Sequence, residues 1–214
     1  MEATRIIAIR HGETAWNVDA RIQGQLDIQL NDKGRWQARQ VGSALAGEDL
    51  AAIYSSDLAR AHETARSVAE AKGLGVLTHP GLRERRFGRF EGRTFDEIHA
   101  TWPDHAQAWR QRHPEWAPPD GGESLLELRA RVLRTVADLA ARHHGHQIAV
   151  VAHGGVLDAL YRIATGQEVN SPRTWQLPNG AINRLLWTPE GFTLVGWSDT
   201  QHLDHASIDE TSAP

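Results

Sequence analysis

Two short apolar runs, Ile6-Ile7-Ala8-Ile9 and Ile148-Ala149-Val150-Val151-Ala152, lie at opposite ends of this chain. The first leads into Arg10-His11-Gly12-Glu13-Thr14 and the second into His153-Gly154-Gly155. Runs of this length and composition read as buried strands, so each strand delivers a histidine at its carboxyl end, with glycine next. Ligands of open α/β sheets bind in the crevice beyond those carboxyl ends, near helix N-termini. An arginine and two histidines placed there point to chemistry on an anion.

The rest of the chain agrees with such a sheet. Thr4–Ile9 is predicted as the first strand, followed by a helix capped at Asp32 and running to about Gly47, with Ala38, Val41, Gly42 and Leu45 at helical spacing. Ala51–Tyr54 is a second strand. Ser55-Ser56-Asp57 is expected to open a helix whose inward stripe is Leu58, Ala61, Ala65 and Val68, ending near Gly73 and Gly75. Val76–Thr78 forms a third strand. Glu123–His144 is the longest helical pattern, and another helix runs from about Gly155 to Thr165. Ala181–Trp187 and Phe192–Trp197 make a closing β-hairpin about the turn Thr188-Pro189-Glu190-Gly191. The fold class expected is a three-layer α/β/α sandwich with a mainly parallel sheet and a C-terminal hairpin.

One domain is expected over residues 1–200, with a flexible, polar C-terminal tail at 201–214. Residues 94–122, rich in Trp and Pro, read as a substrate-side insertion of short helices and turns. Its Trp102, Trp109, Arg110, Arg112, His113 and Trp116 suggest an aromatic wall with a second anion contact.

Composition narrows the function. The 214 residues carry a formal charge of −4, which gives no general attraction to nucleic acid or to an anionic membrane. Any anion site must be a local concentration of positive groups. The absence of cysteine excludes disulfides, thiolate nucleophiles and thiolate-bound metal. No apolar run approaches a membrane span, and Met1–Arg5 lacks the features of a signal peptide, so a cytoplasmic location is expected. Of the 12 histidines, the clusters His143-His144-Gly145-His146 and His202–His205 read as a solvated helix end and part of the loose tail.

Neutral imidazole is well populated near pH 7 and attacks phosphorus without a large pKa adjustment. Such transfer needs positive groups on the phosphoryl oxygens and a proton for the leaving oxygen. Arg10 and His11 end the first strand, Arg60 lies in the first turn after the second, and His153 ends the later one. The amides of Gly154 and Gly155 stand at a helix N-terminus. Glu84, in a loop among arginines, is the candidate proton donor.

With these residues in view, Arg10-His11-Gly12-Glu13-Thr14-Ala15-Trp16-Asn17 resembles the signature of the histidine phosphatase superfamily, in its cofactor-dependent phosphoglycerate mutase-like branch. The similarity continues through Gln23-Gly24, Leu30–Gly34, Ser55–Ala61, Leu82–Gly92, Gly121–Ser124 and Val151–Gly155. The resemblance implies that His11 is the phosphorylated nucleophile, that Arg10, Arg60 and His153 form the phosphate pocket, and that Asn17 donates a further hydrogen bond. It implies that Glu84 protonates the leaving oxygen and then deprotonates water. Gln23 and Gly24 would line the substrate side, Arg21 and His62 would reach it, and neither metal nor other cofactor would be needed. The segments Ala20–Gly24 and Arg86–Gly92 look like the phosphatase subgroup, so a phosphomonoesterase on a small phosphorylated metabolite is the leading expectation. A phosphoglycerate mutase is the alternative, and a non-catalytic phospho-ligand binder a third.

Overall fold

A computed structural model describes residues 2–207. In chain order, β1 (Thr4–Arg10) is followed by the single-turn α1 (Ala15–Val18) and by α2 (Asp32–Ala44). Next come β2 (Ala52–Ser55), α3 (Ala59–Lys72) and β3 (Val76–Thr78). Two short helices, α4 (Phe95–Thr101) and α5 (Pro103–Arg110), precede the long α6 (Leu125–Ala140). β4 (Gln147–Ala152) and α7 (Gly154–Thr165) lead to the hairpin of β5 (Ile182–Thr188) and β6 (Gly191–Asp199).

The strands form one six-stranded sheet in the order β3-β2-β4-β1-β5-β6. The first four run parallel, while β5 and β6 add an antiparallel flank. Side chains alternate across a strand, so β1 sends Ile6 and Ala8 to one face and Ile7 and Ile9 to the other. β4 divides likewise, with Ile148 and Val150 opposed to Ala149 and Val151. α6 and α7 cover the first face with Val132, Val136, Leu157 and Leu160, and α2 and α3 cover the second with Val41, Ala61, Ala65 and Val68. The expected three-layer sandwich is therefore observed. Burying a branched aliphatic side chain stabilises by about 1.5–3 kcal/mol, and a one-residue slip would move every side chain of β1 to the wrong face. The register that results pairs Arg10 with Ala152, which makes His11 and His153 neighbours.

Several boundaries differ from expectation. α2 is capped by Asn31, whose side chain accepts from the Gly34 amide, and not by Asp32; it ends at Ala44, short of Gly47. α3 starts after Leu58, because Ser56 Oγ accepts the Leu58 amide in a turn and Asp57 pairs with Arg83. α6 begins after Ser124, in a capping box with Glu127, and stops at Ala140, before the histidines. His143 belongs to the structure, since its Nε2 meets the Tyr54 hydroxyl at 2.9 Å. The tail does not start at 201: Gln201–Ser207 is a 3-10 helix, with His202 Nε2 donating to the Gly180 carbonyl at 2.9 Å. The remainder of the expected tail lies outside the described residues. Among the described residues, no helix is long and apolar enough to cross a membrane.

The insertion does form short helices, α4 and α5. It builds a small core of its own around Phe90, Ile98 and Ala106, with Trp102, Trp109 and Trp116 packed against it. The tryptophans expected to form an aromatic wall thus pack inward on this core, each remaining half-exposed. Arg110 lies over the Phe95 ring, and His113 bonds Gln111. Arg112 ties the insertion to the main body through the Val169 carbonyl and Asp158.

Candidate active site

Strand register and two glycines set the position of His11. A Cβ on Gly12 would run into the backbone of Gly34, and one on Gly34 into the backbone of Glu13. The turn after β1 thus packs backbone to backbone on the first turn of α2. The Gly12 amide donates to Thr64 Oγ1 at 3.1 Å, and that hydroxyl donates to the Arg60 carbonyl. His11, only 3% exposed, places Nδ1 2.6 Å from the Gly12 carbonyl. A carbonyl can only accept, so Nδ1 carries the proton and the neutral ring keeps its lone pair on Nε2. Burial, reinforced by Arg60 and Arg10, holds His11 well below the ordinary histidine range, with the Gly12 hydrogen bond opposing.

The His153 ring lies 5.1 Å from that of His11, centroid to centroid, and is fully buried. Burial again comes first in depressing its pKa, followed by Arg60, His11 and Arg10. Arg60 is 1% exposed, and its fork donates from Nη1 to the Leu26 carbonyl and from Nη2 to the Gly24 carbonyl, each at 2.8 Å. Arg10 donates from Nη1 to the Leu177 carbonyl. What remains is informative: Arg10 Nε, Arg60 Nε and both His153 nitrogens are buried without a hydrogen-bond partner among the described residues. Unsatisfied buried donors are rare in native proteins and call for an explanation. Here they line the space beside His11, on which Arg60 and Arg10 act as positive groups, the arrangement that suits an oxyanion with several acceptor atoms.

Glu84 reaches the same place from the loop after β3. Its carboxylate accepts the Gly155 amide at 3.0 Å and the Arg85 amide at 2.7 Å. A Cβ on Gly154 would lie 3.7 Å from Arg10 Nε and 3.8 Å from Glu84 Oε2, which puts Gly154 between the two. The Gly155 amide, at the N-terminus of α7, thus faces the carboxylate. The loop is held by Arg131, which forks onto Glu123 at 2.7 and 2.6 Å and donates to the Gly81 and Arg83 carbonyls. Gln25 Nε2 adds a bond to the Glu84 carbonyl. Arg85, buried beside them, is pushed by desolvation down to about 10, against the pull of Glu123 and Glu84.

Asn17 has its Oδ1 occupied by the Thr14 amide and hydroxyl and by Asn179 Nδ2, which leaves its own amide nitrogen as the group to offer. Gln23 is buried, with Oε1 lacking a partner among the described residues. Gly24 acts as a brace, because its carbonyl takes Arg60 and its φ of +50° suits glycine. One expected residue is engaged elsewhere. Arg21 bonds the Gly92 carbonyl and Glu97 at the base of α4. His62 is half-buried in the first turn of α3, two positions after Arg60.

Sequence reasoning missed Thr64, Arg131, Asn179 and Arg173. Asn179-Gly180 was open to discovery as a turn signal just before the hairpin. Arg131 had no such cue, since its partners come from a distant loop. Arg173 is exposed, and its field lowers the pKa of both Arg10 and Arg112, after the burial that dominates each.

A model described as the histidine phosphatase superfamily (branch 1) matches residues 6–200. The chain belongs to that superfamily. It is 37% identical over 211 residues to a phosphoglycerate mutase-like protein 4 of Arabidopsis thaliana, covering 97% of this chain and 90% of the relative. It is 35% identical over 204 residues to a metal-independent phosphoserine phosphatase of the same plant, covering 94% and 84%. Among solved structures, a mycobacterial glucosyl-3-phosphoglycerate phosphatase superposes with a TM-score of 0.83 at 35% identity, covering 92% of this chain and all (100%) of the other. Histidine phosphatases thus surround this chain in sequence and in fold.

Proposed function

We propose that this protein is a metal-independent phosphomonoesterase acting on a small phosphorylated metabolite through a phosphohistidine. One observation carries the reading: a neutral His11 with its lone pair on Nε2 sits among buried, unpartnered donors of Arg10, Arg60 and His153. Nε2 attacks phosphorus, the ester P–O bond breaks, and the departing oxygen takes a proton from the Glu84 carboxyl group. Water then attacks the phosphorus and gives its proton to Glu84, the P–N bond breaks, and inorganic phosphate leaves. Arg10, Arg60 and His153 bear on the phosphoryl oxygens throughout, and Asn17 offers its amide. The names of two relatives, a phosphoserine phosphatase and a glucosyl-3-phosphoglycerate phosphatase, support hydrolysis on a compact acid or sugar derivative.

Rapid quench with a labelled aryl phosphate is expected to trap an acid-labile, base-stable phosphoenzyme that is absent in His11→Ala, with turnover unaffected by chelators. Label on another residue, or full activity in His11→Ala, would overturn the reading. The phosphoglycerate mutase-like relative favours isomerase activity as the second reading. With 3-phosphoglycerate, hydrolysis yields glycerate and phosphate, whereas 2-phosphoglycerate formed faster than phosphate decides for the mutase.

A further inference from the structure

The segment just before β5 grips the nucleophile from behind. Asn179 Nδ2 donates to the His11 carbonyl at 3.0 Å, with the Gly12 carbonyl at 3.4 Å and Asn17 Oδ1 at 3.3 Å. The next amide, Gly180, donates to the Arg10 carbonyl at 3.0 Å, and the Gly180 carbonyl is itself fixed by His202. Two residues before Asn179, the Leu177 carbonyl receives Arg10 Nη1. One short loop thus contacts Arg10, His11, Gly12 and Asn17. Three of these contacts converge on the single Asn179 amide.

We propose that Asn179 is a positioning residue that holds the His11 ring in the attacking tautomer and rotamer. This rests on the phosphohistidine reading above. The physical argument is one of polarity. Three oxygen atoms, two of them backbone carbonyls, face one donor group. The Gly12 carbonyl is also the acceptor that keeps the proton on His11 Nδ1. If this carbonyl turns away, Nδ1 loses its acceptor, the Nε2–H tautomer becomes competitive, and that tautomer presents a proton where the lone pair must be. A displacement of about 1 Å in a reacting group costs on the order of 10²-fold in rate.

Two substitutions separate this role from mere packing. Asn179→Asp keeps the shape and presents oxygen to three oxygens, while Asn179→Ala removes the donor and leaves room for water. In single-turnover rapid quench with p-nitrophenyl phosphate, phosphoenzyme formation is expected to slow about 10-fold in Asn179→Ala and about 100-fold in Asn179→Asp. KM is expected to change less than threefold, because Arg10, Arg60 and His153 still bind the phosphate. The groups facing His11 are Arg10, Arg60 and His153, all retained in both variants. A looser ring reaches water and its pKa rises, so the acid limb of kcat/KM is expected to move to higher pH.

Imidazole 15N shifts, with His11 assigned by its loss in His11→Gln, are expected to show the Nδ1–H form in the parent and a tautomer mixture in Asn179→Ala. Unchanged tautomer and unchanged phosphorylation rate in a variant with parental melting temperature would overturn the proposal. So would the parent protein showing Nε2–H at His11, a result that needs no variant to fold. Failure of the parent to form any phosphohistidine would instead strike the reading beneath it.

Discussion

Replacing Arg60 with alanine removes three distinct interactions at once, and their sizes can be separated. Nη1 and Nη2 each donate to a backbone carbonyl at 2.8 Å, and Nε has no partner among the described residues. A hydrogen bond from a charged donor contributes about 1.5–3 kcal/mol. Leu26 is 40% exposed, so water replaces the donor at its carbonyl at little cost. The Gly24 carbonyl belongs to a buried residue and loses its partner. Against this stands the relief of a desolvated charge, since burial alone depresses the Arg60 pKa. The net is about 1.5 kcal/mol of stability, at the low end of that range, or roughly 3–6 °C in melting temperature for a chain of this size. On the proposed mechanism, loss of a contact from Nε to the transferring phosphoryl group costs a further 2–3 kcal/mol or so of transition-state stabilisation. That corresponds to about 30- to 160-fold in kcat/KM. The assay is hydrolysis of p-nitrophenyl phosphate, paired with thermal melts with and without inorganic phosphate. The parent is expected to melt higher in phosphate and the variant to lose most of that gain. Arg60→Lys keeps the charge but cannot span both carbonyls and still offer a third donor, so it falls between the two. A folded Arg60→Ala protein with kcat/KM within threefold of the parent and an undiminished phosphate shift would refute the assignment.

Glu84→Gln keeps shape and hydrogen bonding to Gly155 but cannot supply a proton, so kcat is expected to fall roughly 10²–10⁴-fold. In single-turnover phosphorylation the loss should be smaller for aryl than for alkyl phosphates, and equal losses would remove Glu84 from that step. For pH, His11 and His153 both have folded pKa values depressed below 6.5 by burial and by arginine. The unfolded chain therefore binds more protons in mild acid. The stability linked to these groups is fully present above about pH 6.5 and declines as pH falls below it, towards their folded pKa values. The acid limb of kcat/KM is expected below pH 6.5 for the same reason. Melting curves from pH 8 to 5 check the first, and a rise in stability on acidification would contradict it. Gly24→Ala, at φ +50° with a Cβ aimed into the Glu91 carboxylate, is expected to lose a few kcal/mol of stability and to release Arg60, lowering kcat/KM. Parental melting temperature and activity would show that the loop has room to shift.

The elements of this fold were legible because their signals are local. Ile6–Ile9 and Ile148–Ala152 are apolar at every position, and only a strand covered on both faces can bury them, so helices on both sides followed. The Val132-Val136-Leu139 stripe on α6 read as a helix for the same reason of period. What the strands carried at their ends, Arg10, His11 and His153, was equally visible, since a strand end in an α/β sheet is a site by topology. Other features depended on contacts between segments far apart in sequence. The start of α3 was misread because Ser56 and Asp57 make competing bonds, one to a local amide and one to Arg83. Arg21 was expected at the substrate, yet it is drawn to Glu97 across the chain. The tryptophans of 94–122 pack on Phe90 and stay half-buried. Sequence alone determined the layers and which histidines the strand ends deliver, because periodicity and strand ends are properties of short windows. Only the tertiary structure decided the tautomer of His11, the grip of Asn179 and the clamp of Arg131 on the Glu84 loop. Each of those depends on where a single carbonyl or carboxylate from a remote segment comes to rest, and no window of sequence contains that distance.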